Sequence, residues 1–231
     1  MPEPRSNPAC SNPASSTKTA SPSTQPEVTS AALILAGGRS TRMGQDKALL
    51  TLAGKPLLLR TCETALACTP QTFVITPWPQ RYQAAVPGTV KILTEPLTDC
   101  PRGPLSGFAQ GLQQLNQRQI KADWILLLAC DLPCLDRSVL QHWQTQLADV
   151  SAGAIAALPR SPKGWEPLCG YYRRSVLASL EETLQQGNDA FQRWLSTQAV
   201  APLMAPPQML TNCNTPQQWQ DTLQSLKASP V

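Results

Sequence analysis

From Ala31 onward the chain alternates between short continuous apolar runs and longer stretches in which apolar residues recur every three or four positions. The runs Ala31–Ala36 (AALILA), Thr72–Thr76 (TFVIT), Val90–Thr94 (VKILT) and Trp124–Ala129 (WILLLA) predict strands. The last is apolar throughout, as expected of a strand buried on both faces in the middle of a sheet. Between the runs, Pro56–Ala67 places Leu57, Leu58, Cys62 and Leu66 near one helical face, and Leu105–Gln117 predicts a second helix. Further helices are expected over Arg137–Leu147, Ser175–Gln186, Asp189–Gln198 and Gln217–Leu226, and further strands over Gly153–Leu158 and Ala199–Leu203. Leu52-Ala53-Gly54-Lys55 is a turn signal, Gly187-Asn188 stops a helix, and Asp136 suits the N-cap of the helix after it. Strand, helix and strand in repeated succession predict an α/β domain with a mostly parallel sheet.

The first thirty residues break this pattern. Seventeen of them are Ser, Thr or Pro, and Val28 is nearly the only sizeable apolar side chain, so the segment cannot bury enough surface to offset ordering. Residues 1–30 therefore read as a disordered extension and residues 31–231 as one domain. The extension has no apolar core of a secretory signal, and its few charges suit an organelle transit peptide poorly. No run is long enough to cross a membrane as a helix. A cytoplasmic setting follows as the expectation, with the eight cysteines reduced and mostly filling the core. The net charge of +4 comes from scattered basic residues, which excludes a nucleic-acid reading and suits a small anionic substrate.

The chemistry concentrates after the first strand, in LAGGRSTRMGQDKALL, residues 35–50. Adjacent glycines, Gly37 and Gly38, let the chain turn and bring amide N–H groups close to an anion. Arg42 and Lys47 can then neutralise phosphate charge. Neither the Walker A spacing nor the dinucleotide pattern G-x-G-x-x-G is present. At the end of the WILLLA strand, Asp131 stands where open α/β sheets bind ligands. His142, the single histidine, lies on a predicted helix and receives no role.

The loop resembles the signature of nucleotidyltransferases that attach a nucleoside monophosphate to a phosphorylated acceptor. Within that superfamily, LAGG and the Asp46-Lys47 pair are most similar to the molybdenum cofactor guanylyltransferases. The resemblance runs from residue 31 to about 226. It implies a three-layer α/β/α Rossmann-like nucleotidyltransferase fold and transfer of GMP from GTP to molybdenum-bound molybdopterin, with Mg²⁺ as cofactor and pyrophosphate as product. It further implies molybdoenzymes or upstream cofactor-synthesis proteins as partners.

Carried over residue by residue, the resemblance puts Leu35, Ala36, Gly37, Gly38 and Lys47 on the nucleotide, with Arg42 and Lys47 on the triphosphate. Asp131, in C-D-x-P, becomes the metal ligand and also touches the nucleotide. Thr76 stands where the family often has an asparagine that contacts the nucleotide. Asp99 precedes the Gly103-Pro104-Leu105 loop as a second nucleotide contact, although capping a turn would explain it equally well. Lys163, Trp165 and Glu166 are candidates for the pterin side, in a stretch that starts a strand in the family. Asn212 and Asn214, in N-x-N-T-P, complete the acceptor site, while Thr215 and Pro216 suit a helix start. Two rivals stay open. One is a cytidylyltransferase or another transferase of the superfamily. The other is a protein that binds GTP and delivers cofactor without chemistry.

Overall fold

The computed structural model describes residue 1 and residues 28–38, 43–96 and 103–228. Along these residues run β1 (Ser30–Leu35), β2 (Thr51–Leu52), β3 (Lys55–Pro56), α1 (Leu57–Leu66), β4 (Thr72–Thr76), α2 (Pro79–Tyr82), β5 (Lys91–Thr94) and α3 (Pro104–Gln117). They continue with β6 (Trp124–Ala129), α4 (Arg137–Gln146), β7 (Ala156–Ser161), β8 (Gly164–Trp165), β9 (Cys169–Arg173), α5 (Leu177–Gln185), α6 (Phe191–Leu195), β10 (Val200–Leu203) and α7 (Pro216–Ala228).

The main sheet has the order β10-β7-β9-β6-β1-β4-β5, with β8 paired to β7. β5, β4, β1 and β6 are mutually parallel. β9 runs antiparallel to both β6 and β7, and β10 is parallel to β7. Two reversals cancel, so β7 and β10 point the same way as β6. All the parallel strands therefore deliver their carboxyl ends to one edge. Period-two alternation sorts the central strands between two cores. Ala32, Ile34, Val74, Leu126, Leu128 and Tyr171 pack beneath α1 and α4, with Leu58, Cys62, Leu140 and Trp143. Leu33, Phe73, Ile75, Leu127 and Tyr172 pack on the other face, with Phe108, Leu112, Leu180 and Trp194 of α3, α5 and α6. This is the expected three-layer α/β/α arrangement. The exposed edge at β10 carries Pro202, which cannot donate to a further strand.

The expected elements form with shifted bounds. β1 opens at Ser30, and Thr29 bonds Asp123 through both its N–H (3.2 Å) and its hydroxyl (2.7 Å). Val28 packs on the first core, and residues 2–27 of the expected extension lie outside the described residues. β7 starts at Ala156 because Ala154 N–H turns back to the Ser151 carbonyl. The helix expected over Asp189–Gln198 is only the five residues of α6. It ends where the Ser196 and Thr197 hydroxyls bond the carbonyls of Arg193 and Trp194. The turn at Ala53-Gly54 closes a β2–β3 hairpin in which both central residues have positive φ, as primed hairpin turns require. Asp136 does cap α4, accepting from Ser138 and Val139 N–H. The six described cysteines form no disulfide, and Cys62, Cys169 and Cys213 are buried. Among the described residues no helix is long and apolar enough to cross a membrane.

Candidate active site

The site forms along the carboxyl edge, where successive loops leave β1, β4, β5 and β6. β1 hands the chain to Ala36 and Gly37. Ala36 N–H bonds the Ile75 carbonyl at 3.0 Å, and the Ala36 carbonyl accepts the Thr76 hydroxyl at 2.8 Å. Gly37 lies against Glu95: an added Cβ would stand 2.7 Å from Oε2, so the carboxylate would have to swing aside. The turn that brings the chain back to Lys47 passes through Gly44, whose φ is +66°.

Lys47 is the meeting point. Its ammonium lies 3.5 Å from Asp131 Oδ2 and donates to Asn214 Oδ1 at 2.5 Å. The lysine and aspartate side chains are only 17% and 18% exposed, so their charges face each other with little water between them. Burial pushes the Asp131 carboxyl above its ordinary value, and the Lys47 charge pulls it back only in part. Asn214 arrives from the far end of the sequence. Cys213 N–H bonds the Asp131 carbonyl at 3.1 Å, Asn214 N–H donates to Gln218 Oε1, and the Thr215 hydroxyl accepts Gln218 N–H in the first turn of α7. A small core of Met43, Leu50, Leu52, Leu57, Cys213 and Trp219 joins the end of the glycine loop to α7. Sequence reading gave Lys47 and Asp131 to the nucleotide and metal and Asn214 to the acceptor; the structure brings Asp131 and Asn214 within hydrogen-bonding reach of Lys47.

Other expectations meet different outcomes. Arg42 and Asp99 lie outside the described residues. Thr76 is wholly buried, its hydroxyl donates to Ala36 and accepts Trp78 N–H at 3.1 Å, and its carbonyl accepts Glu95 N–H. The polar groups of Thr76, expected on the nucleotide, hold the backbone of the glycine loop in this structure. Lys163 sits exposed at the tip of the β7–β8 hairpin, with Trp165 and Glu166 half-buried behind it. The Arg160 guanidinium stands 5.4 Å above the Trp165 ring, and the Trp165 carbonyl accepts from Gln192. The hairpin leaves the same sheet edge as Asp131, but two strands away.

Two groups escaped the sequence reading. Glu95, one residue past β5, presents its half-buried carboxylate between Gly37 and the first turn of α3, where an added Cβ on Gly107 would stand 3.4 Å from Oε1. Burial raises this carboxyl above its ordinary value. The β4–β5 register, with Thr76 beside Thr94, carries Glu95 to the glycine loop. Tyr82 is the second, buried on α2 with its hydroxyl 2.7 Å from Asp46 Oδ2.

Asp46 accepts Ala48 N–H on Oδ1, and the Tyr82 hydroxyl and Arg81 on Oδ2. Both its oxygens are therefore committed. The Asp131 carboxylate meets Lys47, and among the described residues no group of three or more His, Cys, Asp or Glu side chains gathers around a point. One buried carboxylate fits Mg²⁺, which takes one or two protein carboxylates and completes its shell with water and phosphate oxygens.

Comparison with known proteins follows the same lines. The sequence profile of the MobA-like NTP transferase domain matches residues 32–201. A probable molybdenum cofactor guanylyltransferase of Nostoc sp. is 50% identical over 187 residues, covering 80% of this chain and 86% of that protein. Another from Synechococcus elongatus is 48% identical over 82% of this chain and 96% of its own length. Among solved structures, molybdopterin-guanine dinucleotide biosynthesis protein A of Archaeoglobus fulgidus superimposes with a TM-score of 0.68 at 21% identity, covering 86% of this chain and 99% of that one.

Proposed function

The chain belongs to the MobA-like NTP transferase family, and on that premise we propose that its cleft transfers GMP from GTP to the phosphate of molybdenum-bound molybdopterin. The observation that carries the reading is the convergence of Lys47, Asp131 and Asn214, drawn from three distant parts of the sequence. Leu35, Ala36, Gly37 and Gly38 supply the backbone that cradles the nucleotide, Asp99 keeps its expected acidic contact, and Glu95 adds a second acid beside Gly37. Lys47, together with Arg42, holds the triphosphate. Asn212, Asn214 and the Lys163–Glu166 hairpin face the acceptor.

A terminal phosphate oxygen of molybdopterin forms the new bond to the α-phosphorus of GTP. The α–β bridge bond breaks, and pyrophosphate leaves. The nucleophile is already ionised, so the reaction needs positioning and charge stabilisation more than a general base. Asp131 would hold Mg²⁺, which when bound screens the charge on the phosphate oxygens. Lys47, beside Asp131, adds positive charge for the triphosphate. The free thiols of the described cysteines fit the reducing cytosol.

The test is pyrophosphate release by the purified chain with Mg²⁺, molybdenum-bound molybdopterin and each of the four NTPs in turn. Release with GTP alone, lost in Asp131→Ala, is the expected result. Release with CTP would move the protein to cytidylyl transfer on the same fold. GTP binding without release under any condition would leave only a delivery role.

A further inference from the structure

The glycine loop leaves β1 at Ala36 and returns at Asp46, and both ends are gripped by one short segment, Thr76–Tyr82. At the first end, the Thr76 hydroxyl donates to the Ala36 carbonyl at 2.8 Å, while its oxygen accepts Trp78 N–H at 3.1 Å. At the second end, Tyr82 Oη donates to Asp46 Oδ2 at 2.7 Å and Arg81 Nη1 donates to the same oxygen at 3.2 Å. The other Asp46 oxygen accepts Ala48 N–H at 3.1 Å, which starts the helical turn carrying Lys47.

The geometry is built rather than incidental. The Tyr82 ring is 1% exposed and packs in the core under α1, while the Arg81 guanidinium lies 4.8 Å from the Trp78 ring centroid. Burial and the neighbouring carboxylate raise the Tyr82 phenol above its ordinary value, so it remains a donor at neutral pH. An aspartate directly before the phosphate-binding lysine would repel a triphosphate or compete for its metal. Here three donors hold it, and its charge is turned toward α2 instead.

We infer that Tyr82 is a positioning residue for nucleotide transfer: through Asp46, with Thr76 at the opposite end of the loop, it sets where Lys47 meets the β- and γ-phosphates. The inference rests on the nucleotidyltransferase reading and adds to it a residue that never touches substrate.

The test compares binding of GTP and GMP to the full-length chain by calorimetry, in wild type, Tyr82→Phe, Asp46→Ala and the double variant, with melting temperature recorded throughout. Tyr82→Phe removes one hydroxyl from a ring that stays packed. It is expected to weaken GTP about tenfold, the size of one hydrogen bond to a charged group, while GMP affinity and melting temperature hold. Asp46→Ala is expected to show the same selective loss, and adding Tyr82→Phe to it should cost nothing further, because the hydroxyl acts through the carboxylate. An unchanged GTP-to-GMP ratio in Tyr82→Phe overturns the inference, as does a double variant whose losses simply multiply. If the unaltered chain binds no GTP, the nucleotide reading fails, and the positioning role with it.

Discussion

The two halves of the carboxyl edge are built differently. On the side proposed for the nucleotide, β1, β4, β5 and β6 are parallel neighbours; Thr76 bonds Ala36 and Glu95 bonds Thr76, while Cys213, from the segment before α7, bonds Asp131. On the side proposed for the acceptor, β7 and β8 form an outlying hairpin beyond the reversed strand β9, with Lys163 exposed at its tip. A nucleoside triphosphate presents a fixed pattern of charge, and a rigid cradle gains from having its donors in place beforehand. A bulky acceptor that must enter and then leave as a larger product is better met by a rim of adaptable side chains. The contrast teaches that damage on the first side should strike the rate, and damage on the second should strike acceptor affinity.

The sharpest break should come at Lys47 and Asp131. Replacement of either by Ala is expected to lower kcat on the order of 10²-fold or more, the scale of removing a preorganised charge stabiliser. Pyrophosphate release at saturating GTP measures it, and near-normal turnover in Lys47→Ala would show that the glycine loop has been misread. Asn214→Ala comes next, since it removes the partner that accepts from the Lys47 ammonium at 2.5 Å. About a tenfold fall in kcat/KM is expected, the size of a charge-assisted hydrogen bond. Combined with Lys47→Ala, it should add much less than its separate loss, because the two side chains act as a unit. Lys163→Ala should raise the acceptor KM about two- to fivefold, as for an exposed ion pair, with the GTP KM unchanged. A shift in the GTP KM would erase the division between the halves.

The smallest effect lies five residues from Asp131, at another aspartate with the opposite shift. Burial raises Asp131, whereas the Ser138 hydroxyl and the backbone N–H groups of Val139 and Ser138 hold the exposed Asp136 carboxyl below its ordinary value. A lowered carboxyl contributes stability that is present above its unfolded pKa and is lost as pH falls through the folded one. Asp136→Ala should therefore cost about 1 kcal/mol at neutral pH by urea unfolding. The deficit should shrink toward the acid end of that window, and GTP turnover should be unaffected.

The same division governs what the amino-acid sequence disclosed. Strands β1, β4 and β6 are unbroken apolar runs, so the parallel half and the places of Lys47 and Asp131 could be read directly. Glu95 could not. Its place beside Gly37 depends on pairing between β4 and β5. Tyr82 sits on a helix of only four residues after two prolines, where local periodicity has nothing to act on. The reversed strand β9 has its partners on either side in space and far away in sequence, so hydropathy alone did not give its direction. Propensity speaks for neighbours along the chain, whereas these features depend on neighbours across the sheet.

The joint between the glycine loop and α7 also has a consequence in time. Asn214 lies 167 positions after Lys47, while Asp131 lies 84 after it. A ribosome working from the amino end therefore releases Lys47 and Asp131 before Asn214. Until Trp219 seats against Leu52 and Leu57, Asn214 is not held beside Lys47. On the proposed reading, the site is completed by the last helix to be made, and a protease that trims α7 would take that completion away.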